Sequence, residues 1–326
     1  MNRRDFLTST FGIGCAAAAN SGQAQTVRRR KLGYLSGGRQ GTGAYTVDIL
    51  KKSLRDLGWR ESETIDIDER WADGDGSRLG RLATELIQLR PDVIACTGTS
   101  EAKALQSATR EIPIVFLQVA DPISSRLVAS ISHPGGNVTG FAQGPQILWS
   151  KRLGLLTEMI ERQPRHLAWL GNPENSGSVS NWADAKDAAA RAGVDLARID
   201  VSRAEELEGA FKGVKGLDGL LVQWDFLFSI ASVQIAQLAA RDRLPAIYEN
   251  RVQVLAGGLM SYGGDLRENF RQGATYVDRI LKGVNPGDLP VVQASRFELV
   301  LNMRAAKALG LTVPGNLLAQ ADEVVE

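Results

Sequence analysis

The side chains of this chain that could do chemistry stand where apolar runs break into polar turns. Asp92-Val-Ile-Ala-Cys96 runs into Thr97-Gly-Thr99-Ser100, whose hydroxyls and backbone N–H groups surround the start of a helix expected near Glu101. Unpaired donors and the helix dipole favour an anion there, and capping of the helix by Thr99 or Ser100 uses the same groups. Ile112-Pro-Ile-Val-Phe-Leu leads to Asp121-Pro122, and Leu217 to Trp224 leads to Asp225 and Phe226, a carboxylate between two aromatic rings. Gly171-Asn172-Pro173, Tyr248-Glu249-Asn250 and Ser261-Tyr262-Gly263 close three further runs, and Arg39-Gln40 stands in a glycine-rich stretch after the first one. In a parallel α/β sheet the carboxyl ends of strands open into the crevice where small ligands bind, so these residues are placed for recognition.

Covalent and metal chemistry find less support. The histidines are His133, in a proline-glycine loop, and His166, at a strand start. There is no H-E-x-x-H, no paired-cysteine metal site and no G-x-S-x-G elbow. Ser36-Gly-Gly-Arg39-Gln40-Gly41-Thr42-Gly43 fits neither G-x-G-x-x-G nor a Walker A loop, so no nucleotide or other cofactor is expected, and the stretch reads as a cleft edge from which Arg39 or Gln40 reaches a ligand or points into solvent. With 44% hydrophobic residues and a net charge of +1, the chain reads as a neutral globule. Its one dense basic run, Arg28-Arg-Arg-Lys31, reads as a solvated tether, and no nucleic-acid partner is expected.

The head of the chain has its own physics. Asn2-Arg3-Arg4-Asp5-Phe6-Leu7, a mildly apolar stretch to residue 19 and Gly22-Gln23-Ala24 read as a twin-arginine export signal over residues 1–24, followed by a tether over 25–31. A lipoprotein anchored through Cys15 ranks second, because Gly12-Ile13-Gly14 lacks the usual lipobox leucine. Cys96 is then left without a disulfide partner, on an apolar strand that makes it a buried, inert thiol.

Behind the candidate residues, β and α patterns alternate twice. Leu32–Leu35, Ile65–Glu69 and Asp92–Cys96 read as strands between helices at Asp48–Leu57 and Leu79–Leu89. Beyond residue 150 the pattern restarts, with helices at Leu153–Met159, Trp182–Ala192, Ala204–Lys212 and Ile230–Ala240, and strands at His166–Leu170, Asp195–Val201, Leu217–Trp224 and Pro245–Tyr248. The fold class is α/β: two doubly wound, Rossmann-like parallel-sheet lobes with a ligand cleft between them.

Phe116-Leu-Gln-Val-Ala-Asp121-Pro122 followed by His133-Pro-Gly-Gly-Asn137-Val-Thr-Gly140, with Glu69-Arg-Trp71-Ala-Asp73-Gly74 upstream and Leu259-Met-Ser261-Tyr262-Gly263 and Phe297 to Asn302 downstream, resembles the ABC transporter substrate-binding protein family. The resemblance spans residues 32–326 and implies the type I periplasmic binding protein fold with three crossings between lobes. On that basis residues 32–144 plus about 258–290 form one lobe and 146–257 plus about 291–326 the other, with hinge glycines in 140–145 and 257–264. It implies a periplasmic, monomeric protein that is not an enzyme and hands a small polar or amino-acid-like ligand, aromatic side chains included, to an inner-membrane ABC permease. An exported sensor and a periplasmic hydrolase are the alternatives. By the same resemblance, the loop Thr97, Thr99 and Ser100 grips a ligand carboxylate, and Asp225 pairs with a ligand amino group beside the Trp224 wall. Asp121, Asn172 and Tyr262 face the cleft. Asn172 also reads as a turn stabiliser, and Trp224 with Asp225 as packing beside a solvated carboxylate. Family members commonly carry a small residue or serine where Glu249 stands, so this departure implies a second contact to a cationic group.

Overall fold

The computed structural model describes residues 28–326 other than 145–147, 161 and 215, and for residues 42–45 the backbone alone. The expected export signal and its cleavage site lie outside the described residues. Among the described residues, thirteen strands form two sheets. The first contains β1 (Arg30–Ser36), β2 (Ile65–Trp71), β3 (Val93–Thr97), β4 (Ile114–Val119), β5 (Val138–Ala142) and, from much later in the chain, β11 (Val292–Gln293), in the order β11-β5-β4-β3-β1-β2. The second contains β6 (His166–Gly171), β7 (Asp195–Asp200), β8 (Gly219–Val222), β9 (Ala246–Tyr248), β10 (Met260–Gly264), β12 (Phe297–Asn302) and β13 (Glu323–Val325), in the order β13-β12-β10-β9-β8-β6-β7. Every pairing is parallel except that of β10 with β12.

The sequence makes both sheets two-faced. Successive strand side chains point to opposite faces. In β3, Val93 and Ala95 therefore pack with Leu32, Tyr34, Val115 and Leu117 under α1 (Gln40–Asp56) and the late helix Leu266–Leu281. Ile94 and Cys96 face the other way, with Leu35, Ile114 and Phe116, under α2 (Leu79–Gln88) and α3 (Thr99–Ala108). The second sheet repeats the scheme. Leu167, Trp169, Leu221 and Ile247 lie under α4 (Leu148–Met159) and α5 (Ser178–Arg191), while Ala168, Leu170, Leu220 and Val222 lie under α6 (Leu207–Lys212), α7 (Phe226–Ile230) and α8 (Ser232–Arg241). Each fully buried Leu, Ile, Val or Phe contributes about 1.5–3 kcal/mol, so each lobe has its own core on both faces of its sheet.

Several expectations need correction. Arg28 to Arg30 are exposed, but the run is not all tether: β1 begins at Arg30, Arg29 pairs with Asp66 at 3.1 Å, and Arg30 pairs with Asp92 at 3.1 Å. The helix expected from Asp48 begins at Gln40, and the one expected over Ile230–Ala240 is two, broken at Ala231. The second crossing between lobes follows β10, because Met260–Gly264 belongs to the second sheet, while the helix Leu266–Leu281 returns to the first. The third follows β11, whose Val292 pairs with Phe141 of the first sheet. Two expected hinge glycines sit inside strands. At Gly140 a Cβ would stand 1.9 Å from the Phe116 carbonyl oxygen, and at Gly263 one would stand 1.9 Å from that of Glu249. Close approach of neighbouring strands requires them, rather than freedom to bend.

Candidate functional site

The carboxyl ends of both sheets face one cleft, and the two rims are built differently. On the first rim, Gly37 and Gly38 follow β1, Gly98 precedes α3, and Ala120-Asp121 follows β4. On the second, Asn172 to Ser178 follows β6, Gln223 to Phe226 follows β8, and Glu249 follows β9.

The hydroxyls expected to grip an anion have partners within the protein. Thr97 Oγ1 lies 3.0 Å from the Tyr34 hydroxyl in the buried core, and Thr99 Oγ1 accepts from the Ala120 N–H at 3.3 Å. Ser100 Oγ reaches across the cleft, accepting from the Ser176 N–H at 2.9 Å. The helix starts at Thr99, so Glu101 lies in its first turn, with its carboxylate folded against Gly37 and Gly98. An acid in a first turn interacts favourably with the helix dipole. The Glu101 carboxyl thus stands at the helix start where a ligand carboxylate was expected. Glu101 is 4% exposed, and burial, with the charge of Asp225 adding to it against hydrogen bonds from backbone N–H groups, pushes its carboxyl up to about 8. It is a cleft residue that the sequence reading missed, as are Arg152 and Asp184. Its signal was an acidic residue three positions after a glycine N-cap at a strand end.

Opposite it, Asp225 caps α7. Its carboxylate accepts from Leu227 N–H at 2.8 Å, Asn172 Nδ2 at 3.2 Å and Asn175 Nδ2 at 2.7 Å. Burial raises its pKa, and those three donors oppose the rise. Asn172 also accepts from Glu174 N–H at 3.0 Å, so it is both turn former and cleft residue. Trp224 is buried, meets Phe226 edge-on with ring centroids 4.9 Å apart, and donates its backbone N–H to Glu249 Oε1 at 2.9 Å. Phe226 crosses the cleft: its ring lies so close to Gly37 and Gly38 that a Cβ at Gly38 would stand 2.9 Å from it. Between these groups is a cavity of about 40 Å³, lined by Ser100, Glu101, Asn172, Trp224 and Asp225.

Glu249 does not await a cation from outside. The Arg152 guanidinium lies 3.0 Å from it, donates from Nε to the Tyr262 carbonyl at 2.8 Å and stacks over Trp149 at 4.6 Å. Tyr262 itself packs its ring against Phe297. This buried group borders a second cavity of about 430 Å³, which runs from Asp121 and Gln143 of the first lobe to Trp149 and Asp184 of the second. Asp121 lies there, its carboxylate holding its own turn through the N–H groups of Ile123 and Ser124, each at 3.0 Å. Asp184 is raised to about 6, chiefly by burial and then by the charge of Asp121. Gly177 separates the two cavities, standing so close to Ala120 and Thr99 that a Cβ there would be 3.2 Å from both. Arg39 and Gln40 are exposed and line neither cavity. A third cavity, of about 410 Å³, lies outside the cleft among alanines of α8 and of the segment 305–308.

Half of the most distinctive sequence run serves the fold. Asn137 donates its side-chain amide to the Ile112 carbonyl at 2.8 Å, and Thr139 Oγ1 donates to that of Leu289 at 2.6 Å, both at the end of the sheet away from the cleft. Only its first half, ending at Asp121, reaches the rim.

A family model described as ABC transporter substrate binding protein matches residues 43–325. A tyrosine-binding protein of Clostridioides difficile (strain R20291) is 26% identical over 261 residues, covering 80% of this chain and 75% of that protein. Two solved structures share the fold. One is an ABC domain in complex with L-Trp from Streptococcus pneumonia, 23% identical with a TM-score of 0.85, covering 91% of this chain and 100% of that one. The other is the ligand-free, open structure of a substrate binding protein with adhesive properties from Clostridium difficile, 24% identical with a TM-score of 0.65, covering 91% and 99%.

Proposed function

The chain belongs to the ABC transporter substrate-binding protein family, a family of solute-binding proteins, and from that premise we propose that it captures a small polar, amino-acid-like solute between its lobes and delivers it to an inner-membrane ABC permease. The observation that carries the reading is the second-lobe rim. Asp225 is held there by Asn172, Asn175 and the α7 N-terminus, next to two aromatic rings and facing a first-lobe rim of glycines that Phe226 can approach. Such a rim keeps its shape whether the lobes are apart or together, and few crossover residues need absorb the hinge motion. The tyrosine-binding relative and the L-Trp complex support an amino-acid-sized ligand. The protein works as a periplasmic monomer after export by the twin-arginine segment at its head.

A thermal-shift screen of residues 25–326 against amino acids, amines, aromatic acids, nucleosides and small peptides tests this. A ligand at 100-fold its dissociation constant stabilises by about 2.7 kcal/mol, so one class should shift the transition clearly. A folded protein that no class stabilises would refute solute capture. Uptake of the ligand so identified into vesicles bearing the permease, dependent on added protein, tests delivery.

A further inference from the structure

The charge of the cleft is one-sided. Glu101, Glu174 and Asp225 line the smaller cavity, and Asp121, Asp184 and Glu249 line the larger. Among the described residues lining these cavities, Arg152 alone stands against them, with no lysine, and Arg152 is bound to Glu249. The acids also come as pairs split between lobes. Glu101 of the first faces Asp225 of the second, and Asp121 of the first faces Asp184 of the second. The hydrogen-bond partners of Asp225 and Asp121 are neutral: side-chain amides, a serine hydroxyl and backbone N–H groups. Glu101 is held by backbone N–H groups, and the charge acting on it is that of Asp225. Around Asp184 the other charges are Asp187 and, weakest, Arg191, which lies outside the cavity.

Two physical consequences follow for a guest. Bringing the lobes together drives like charges into a space shielded from water, where their repulsion strengthens. A cation between them reverses the sign of that interaction, and Trp224 and Phe226 beside Asp225 offer ring faces that attract cations. A carboxylate on the guest has no such welcome. Glu101 occupies the α3 N-terminus, and the guanidinium already holds Glu249. Resting on the solute-binding reading above, we infer that this cleft selects a ligand of net positive charge, an organic ammonium or guanidinium without a compensating carboxylate, over an amino-acid zwitterion of the same shape. Glu101 and Asp225 are the residues that set this choice, gripping the cationic group from opposite lobes.

Isothermal titration with compounds that share a body and differ in charge tests the inference: tyramine, tyrosine and 4-hydroxyphenylacetate in one series, agmatine and arginine in another. The expected result is that at least one amine binds ten-fold or more tightly than its zwitterion. Glu101→Gln and Asp225→Asn should each weaken the amine ten-fold or more while circular dichroism stays native. If a zwitterion or the carboxylate binds as tightly as its amine, or an amino acid is the tightest ligand of the wider screen, the cationic class is overturned and solute capture stands. If nothing in either series or the screen binds to folded protein, both readings fall.

Discussion

The two rims of the cleft solve one problem in opposite ways. The first lobe presents backbone and glycine, with Gly37, Gly38 and Gly98 leaving room and one long side chain, Glu101, folded into that room. The second presents side chains already bonded to one another, with Asp225 tied to two asparagines and Glu249 tied to Arg152 and the Trp224 N–H. A rim of pre-paired polar groups keeps its geometry without its partner lobe, whereas a rim of glycines only needs to be smooth where the other closes on it. The difference teaches that the polar geometry of the cleft is fixed mainly within the second lobe, while the first supplies fit and the Glu101 carboxyl.

That comparison can be broken most forcefully at Arg152. Arg152→Ala leaves Glu249 charged and buried without its partner, and loss of one member of a buried pair costs about 3–5 kcal/mol. Urea titration should show the deficit, with Arg152→Met combined with Glu249→Leu recovering most of it. A deficit below about 1 kcal/mol would mean that the second rim is not held by this pair.

A smaller effect is expected on the glycine side. Gly38→Val should leave the fold intact yet prop Phe226 away, lowering ligand affinity about ten-fold, about 1.4 kcal/mol, and keeping the radius of gyration of liganded protein at its open value in small-angle scattering. Phe226→Ala in the same chain should restore closure. Unchanged scattering and affinity in Gly38→Val would show that Phe226 does not govern the approach.

Glu101 of the first lobe can be read by pH. The Glu101 carboxyl sits at about 8 when folded against 4.5 unperturbed, so within that interval the folded protein holds a proton that the unfolded chain has lost. Stability should therefore fall as pH rises through the interval, by at most about 1.4 kcal/mol per pH unit, and Glu101→Gln should flatten the slope. A slope unaltered by the substitution would place the titration elsewhere. Least is expected of Thr97→Val. It removes one partner of the buried Tyr34 hydroxyl, which keeps Ser36 and Thr46, and should cost about 1 kcal/mol in thermal unfolding with no change in affinity, whereas a loss of affinity would return Thr97 to the binding surface.

Most of the architecture was legible in the chain. Buried strands such as Asp92–Cys96 and Ile112–Leu117 are continuous apolar runs because parallel strands are covered on both faces, and Leu79, Leu82, Ala83 and Leu86 mark α2 by helical spacing. The start of α1 at Gln40 was not, since glycine and threonine in its first turn carry no apolar period. Nor was the return of Leu266–Leu281 to the first lobe, because an amphipathic helix records that it has a buried face and not which sheet covers it.

The site divides along the same line. Strand ends could be located from sequence, so Asn172, Trp224, Asp225 and Glu249 were correctly brought to one rim, since the chain order of strands and turns alone places residues at the carboxyl edge of a sheet. What each group does there was decided by distant partners: Glu249 by Arg152, nearly a hundred residues earlier, Thr97 by Tyr34, and Glu101 by Gly37 and Asp225. The chain by itself determined two lobes, their periodicities and the residues at their edges, because these follow from local pattern and composition. Only the tertiary structure decided which carboxylates are neutralised and which remain facing each other, because charge compensation depends on distances of a few ångströms between segments far apart in the chain.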